Sequence, residues 1–163
     1  MSSRKIRALV SELLGSFTIA AAVVGSGILA QNMTDDKAVM LIINTIGTVF
    51  GLAIAISIFS QVGLAHFNPI VTLVFWIQKK ISATLALGYF AFQLLGGALG
   101  AILANLMFDH PAILASSNIR SGTGIFLGEI VASFGLVFLI LMAIRIGKEV
   151  LSMPESTPKI IGS

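Results

Sequence analysis

His66-Phe67-Asn68-Pro69-Ile70-Val71-Thr72 lies between two long apolar runs, and its reading decides the architecture. Asn followed by Pro is a helix-start signal. The Asn side-chain oxygen caps the first turn, and Pro at the first helical position fixes φ and lacks an N–H that would be unpaired anyway. A new helix therefore begins between two spans, with the positive end of its dipole directed at whatever stands beside it. The apolar segment it opens, Asn68 to Ile77, is too short to cross a bilayer, which takes about 20 helical residues. Irregular backbone at membrane depth is tolerated only where protein buries it or where it lines a watery cavity. The stretch predicts a re-entrant half-helix at a pore or binding site.

The rest of the chain supplies the membrane setting. Of 163 residues, 56% are apolar and 10% charged, with a mean hydropathy of +1.01, which excludes an ordinary soluble domain. Four full spans are predicted, from about Ala8 to Ala30, Val39 to Ser60, Ser82 to Phe108 and Gly124 to Ile144. Polar breaks at Gln31–Lys37, Gln78–Lys80 and Asp109–Gly122, the last containing Pro111, separate them. Beyond Arg145, Pro154-Glu155-Ser156-Thr157-Pro158 reads as an extended polar loop. Lys159-Ile160-Ile161 then opens the first turn of an expected fifth span.

Charge placement orients the chain. Arg4, Lys5, Arg7, Lys79, Lys80, Arg145, Lys148 and Lys159 fall on one side of an even-span arrangement, and Lys37 and Arg120 on the other. Basic loops face the cytoplasm, so the amino terminus is expected there, in a cell inner (plasma) membrane. The net charge of +3 thus reflects orientation in a lipid bilayer and gives no reason to expect nucleic acid. A secretory signal is the other reading of residues 1–30, but Glu12 interrupts the apolar run and no small-x-small cleavage site follows. The chain has no cysteine, which excludes disulfides and thiolate metal sites. No nucleophile, metal cluster or phosphate cradle is visible, so neither an enzyme nor a cofactor is expected.

The chain also repeats itself. Glu12-Leu13-Leu14-Gly15-Ser16-Phe17 returns as Glu129-Ile130-Val131-Ala132-Ser133-Phe134, an offset of 117 (129 less 12). Three spans separate the copies, and an odd number turns the second upside down, the mark of an inverted-topology repeat. A carboxylate inside a bilayer is expensive and must face a partner or a cavity. Two at equivalent places argue against a chance match in apolar sequence.

These pieces together resemble the aquaporin and aquaglyceroporin channels, the major intrinsic proteins. The resemblance rests on Glu12 to Phe17, on His66 to Thr72, on Gln93-Leu94-Leu95-Gly96-Gly97-Ala98-Leu99-Gly100-Ala101, and on Gly128 to Phe134. It runs from about Ser11 to Ile144. The loop Met107 to Pro111 and Asn118 to Gly124 looks most like a bacterial branch associated with arsenite handling. The resemblance implies an all-α membrane protein, a right-handed helical bundle with an inverted repeat, of which four transmembrane helices and one re-entrant half-helix are present. Residues 1–163 would form one incomplete domain, with a first repeat over 8–108, its half-helix over 68–77, and the start of a second repeat over 124–163. The second Asn-Pro motif of the family would fall near position 185, so the chain is expected to be C-terminally truncated.

The same resemblance assigns roles. The carbonyls of Leu64, Ala65 and His66 would form a ladder of acceptors leading to Asn68, whose side-chain NH2 stays free to donate to a passing solute once its oxygen caps the helix. Pro69 fixes that turn. Thr48 aligns with a selectivity position where water-specific members carry a large aromatic, which hints at a wider filter. Departures from the family pattern are Ile70 for the usual Ala, Leu64 for Gly and Gly63 for Ser, each able to narrow or distort the loop. Glu12 and Glu129 are expected to hold re-entrant loops by accepting backbone N–H groups, and Gln93 to satisfy nearby backbone groups. His66 is expected in a structural hydrogen bond, with a titrating gate as the other reading. Gly47 and Gly51, Gly96 and Gly100, and Gly124 and Gly128 are small-residue pairs that let spans approach closely. Trp76 reads as an interfacial anchor beside Lys79 and Lys80.

Three functions remain open at this point. One is a passive channel for water and small neutral solutes, glycerol-like or metalloid hydroxides, assembled as a homotetramer. The others are a non-conducting homologue serving as a membrane scaffold or partner half, and a proton-coupled transporter using Glu12 and Glu129.

Overall fold

A computed structural model describes residues 3–114 and 121–152, the last five of these by backbone alone. The chain divides into two compact units, Met1–Asn118 and Ile119–Ser163. The first holds α1 (Ser3–Met33), α2 (Lys37–Phe59), α3 (Pro69–Ile77) and α4 (Ala83–Met107); the second holds α5 (Thr123–Ser152). Among the described residues, four helices are long and apolar enough to span a bilayer: α1, α2, α4 and Thr123–Gly147 of α5. With nine residues, α3 is not among them. The expected four spans and one half-helix are all present. Asn118, Ile119, Arg120 and the expected fifth span from Lys159 lie outside the described residues.

Helix starts follow capping chemistry. Asp36 Oδ1 accepts the N–H groups of Ala38 and Val39 at 2.8 and 3.2 Å and so begins α2. Ser82 Oγ accepts the Leu85 N–H at 3.3 Å and begins α4. The first helix starts five residues before the expected Ala8, taking in Arg4, Lys5 and Arg7. Long basic side chains form helix well and carry their charge out to the interface.

The first unit is built around α1, which packs on both α2 and α4, while α3 packs on α4. Lipid removes the hydrophobic force between helices, so close backbone approach has to supply the association. A Cβ at Gly96 would meet the Leu13 carbonyl oxygen at 2.2 Å, and one at Gly100 would meet that of Phe17 at 2.3 Å. Across the other face of α1, Cβ atoms at Gly47 and Gly51 would meet the side chains of Ser26 and Ala22 at 2.5 and 2.4 Å. The first two glycine pairs therefore stand at helix–helix contacts; for Gly124 and Gly128, in the second unit, the packing role stays an expectation. Asn44 adds a polar clasp: its Nδ2 donates to the Val23 carbonyl at 2.7 Å and to Ser26 Oγ at 3.1 Å. Large apolar side chains such as Leu41, Phe50 and Leu87 are about two-thirds exposed. Such a surface suits hydrocarbon and not water.

Candidate functional site

The segment between α2 and α3 carries the site, and its backbone is strained. Ala65 and Phe67 have φ of +50° and +48°. For residues with a Cβ, the left-handed region costs about 1–2 kcal/mol each. That conformation persists only where the surroundings over-determine it.

Glu12 does so. It stands on α1, fully buried. Its Oε1 accepts the His66 N–H and its Oε2 the Phe67 N–H, both at 2.8 Å. Gln93 Nε2 on α4 donates to Oε2 as well, at 2.7 Å, and to Thr72 Oγ1 at 2.9 Å. Thr72 Oγ1 in turn lies 3.0 Å from His66 Nδ1. Gln93 Nε2 can only donate, so Thr72 Oγ1 accepts from it and shares a second hydrogen bond with His66 Nδ1, whose direction depends on the imidazole tautomer. No described residue forms an ion pair with the Glu12 carboxylate; three N–H donors stabilise it instead.

Aromatic contacts set the remaining geometry. The His66 ring packs on Phe75 at 4.4 Å between centroids and edge-on to Tyr89 at 5.3 Å. The Phe67 ring occupies the space a side chain at Gly15 would need, since a Cβ there would sit 2.0 Å from it. Phe59 meets the same Phe67 ring edge-on.

Asn68 caps α3, as its place before Pro69 predicts. With φ −146°, it caps α3 through Oδ1, which accepts from Ile70 N at 2.8 Å and from Val71 N at 3.4 Å, with Pro69 in the first turn. Its Nδ2 donates to no other described residue. Leu64 is half exposed, Ala65 partly buried and His66 buried. Gln93 departs from expectation. It bonds two side chains rather than backbone groups, because an amide NH2 beside a buried carboxylate takes the strongest acceptor within reach. Thr48 is half buried on α2 and has no hydrogen bond to this network among the described residues. Glu129 lies on α5, in the second unit. Ile70 is 43% exposed, so its extra bulk is not wedged into the turn. Gly63 packs closely on α1, where a Cβ would meet Ser11 Oγ at 2.4 Å and that hydroxyl would have to turn away. Thr72, Tyr89 and the Gly15–Phe67 seat were not singled out from sequence. The available signal was a lone Thr one helical turn beyond the Asn68 cap.

Comparison with known proteins shows the family. The family described as "Major intrinsic protein" matches residues 1–162. The chain belongs to that family. It is 42% identical over 143 residues to Aquaglyceroporin AqpS of Rhizobium meliloti (strain 1021), covering 88% of this chain and 61% of that protein. It is 34% identical over 146 residues to Aquaporin NIP3-1 of Arabidopsis thaliana, covering 83% and 44%. A probable TIP-type aquaporin of Medicago truncatula is 29% identical over 141 residues, covering 83% and 56%. The chain thus spans about half the length of the curated relatives it matches. It is a multi-pass membrane protein of a channel family, not an enzyme.

Proposed function

We propose that the chain is part of a passive channel for water and small neutral solutes, glycerol-like or metalloid hydroxides. The observation that carries this reading is the Asn68 side chain. Its oxygen is committed to the cap, its NH2 is left to donate, and a buried network holds the loop behind it. A neutral solute passing such a group exchanges hydrogen bonds without full desolvation, while the half-helix dipole opposes cations and interrupts a proton wire. In this reading the carbonyls of Leu64, Ala65 and His66 lead to Asn68, Pro69 fixes the turn, and Thr48 borders a wide filter. Glu12 and Gln93 support the first loop, and Glu129 does the same for an inverted counterpart within one domain. The amino terminus faces the cytoplasm of the inner membrane, and four copies assemble. The AqpS likeness supports small solutes as cargo.

Vesicles carrying the protein, exposed to an osmotic step of a polyol, test the reading. Re-swelling faster than in empty vesicles, and lost in Asn68→Asp, is the expected result. That substitution keeps a capping oxygen and adds a charge at the donor. Swelling no faster than in empty vesicles points to the scaffold instead. Uptake driven uphill by an imposed pH gradient points to proton coupling.

A further inference from the structure

We propose that Ser16 and Gln93 form a buried hydration site, in which one ordered water bridges Ser16 Oγ and Gln93 Oε1 and fixes the Gln93 amide. The inference stands whether or not the protein conducts. A cavity of about 420 Å³ is lined by residues of α1, α4, the strained loop and the first turn of α3, among them Ser16, Val23, Phe67, Pro69, Gln93 and Leu94. Ser16 is 6% exposed and Gln93 4%. Ser16 Oγ and Gln93 Oε1 are both buried with no hydrogen-bond partner among the described residues.

The Gln93 oxygen cannot satisfy itself by a small adjustment. Both hydrogens of Gln93 Nε2 are committed, to Glu12 at 2.7 Å and to Thr72 at 2.9 Å. The amide is planar, so these two bonds fix where Oε1 points. Turning the amide over would set its oxygen against the Glu12 carboxylate. Ser16 differs from four other hydroxyls on α1 and α2. Ser11, Thr18, Thr45 and Ser57 each donate to a backbone carbonyl three or four residues back, at 2.7 to 2.8 Å. Ser16 makes no such bond. It sits four residues after Glu12, on the same face of α1 and one turn along.

The chemistry of the pair selects the occupant. One carbonyl acceptor and one hydroxyl, set in apolar walls, ask for a small neutral molecule that donates at least one hydrogen. Two neutral oxygens are too few for a hard cation. An anion would face a carbonyl oxygen with a carboxylate behind it. Water meets the requirement with two partners, the lower end of what buried waters make. Ser16 is then a positioning residue. It acts through the water on Gln93, through Gln93 on Glu12, and through Glu12 on the loop that carries Asn68.

X-ray hydroxyl-radical footprinting of the native protein in nanodiscs and ¹⁸O water reads the site directly, because an ordered water ionised in place labels the side chains beside it. Phe67 and Leu94 are expected to take up ¹⁸O in the wild type. Ser16→Val should bring both to background, and Ser16→Thr, which keeps the hydroxyl, should restore them. Amide exchange at His66 and Phe67 should quicken in Ser16→Val and recover in Ser16→Thr, a rescue that simple cavity filling would not give. Unlabelled Phe67 and Leu94 in the wild type, or equal labelling in Ser16→Val, overturns the proposal. If Ser16→Val does not fold, a high-resolution map of the wild type decides. Density within hydrogen-bond distance of both oxygens supports the site, and its absence overturns it.

Discussion

Replacing Glu12 by Gln removes one acceptor from a carboxylate whose two oxygens serve three N–H donors. The new amide keeps one oxygen and sets an NH2 against a backbone N–H of His66 or Phe67. A buried donor left unpaired costs about 1–3 kcal/mol, and the surviving bonds lose the charge assistance that makes such contacts worth roughly 1.5–3 kcal/mol each. Against this stands the strain of Ala65 and Phe67, about 2–4 kcal/mol for the two. The clamp and the strain are thus of similar size, and losing one acceptor tips the loop toward release. Relief of the buried charge lowers the cost to the whole fold, so the loss should appear locally rather than as global unfolding. Hydrogen exchange of the 60–70 segment in nanodiscs measures it. His66 and Phe67 amides should exchange roughly 5- to 150-fold faster in Glu12→Gln, the equivalent of about 1–3 kcal/mol. Amides in the middle of α2 and α4 should keep their protection. Unchanged exchange at His66 and Phe67 would refute the claim that Glu12 holds the loop.

The neighbouring glycines of α4 should separate cleanly. Gly96→Ala drives a methyl into the Leu13 carbonyl and should lower stability in micelles by about 1–3 kcal/mol. Gly97→Ala meets nothing within 4 Å and should be neutral or stabilising by up to about 1 kcal/mol through helix propensity. Asn68→Ala removes the α3 cap and should cost about 0.5–2 kcal/mol in the stability of that half-helix, read as faster amide exchange at Ile70 and Val71. Asn44→Leu breaks the clasp to Val23 and Ser26 and should destabilise the α1–α2 pair by roughly 1 kcal/mol, measured as a lowered midpoint in denaturant.

What could be read from the sequence was whatever depends on local chemistry or on the cost of an exception. Hydropathy located the spans because hydrocarbon imposes one length on every crossing helix. Asn68 and Pro69 announced α3 because capping needs only neighbours in the chain. Glu12 stood out because a carboxylate in a span must have partners, although nothing local says which. Its partners were hidden by distance along the chain. The Glu12–His66 bond joins residues 54 apart, and the Glu12–Gln93 bond residues 81 apart. The left-handed backbone at Ala65 and Phe67 left no trace either, since neither is a glycine and the conformation is imposed from outside by Glu12. The error over Gln93 has the same origin. Its amide was expected to serve backbone groups, but only the fold reveals that the carboxylate already serves them and needs a third donor. The polar network is therefore one unit: Glu12 holds the strained loop, Gln93 completes the shell of Glu12, and Thr72 ties that shell to the half-helix whose cap is Asn68. A substitution at any of these should register first at His66 and Phe67, whose N–H groups Glu12 holds beside the strained backbone of Ala65 and Phe67.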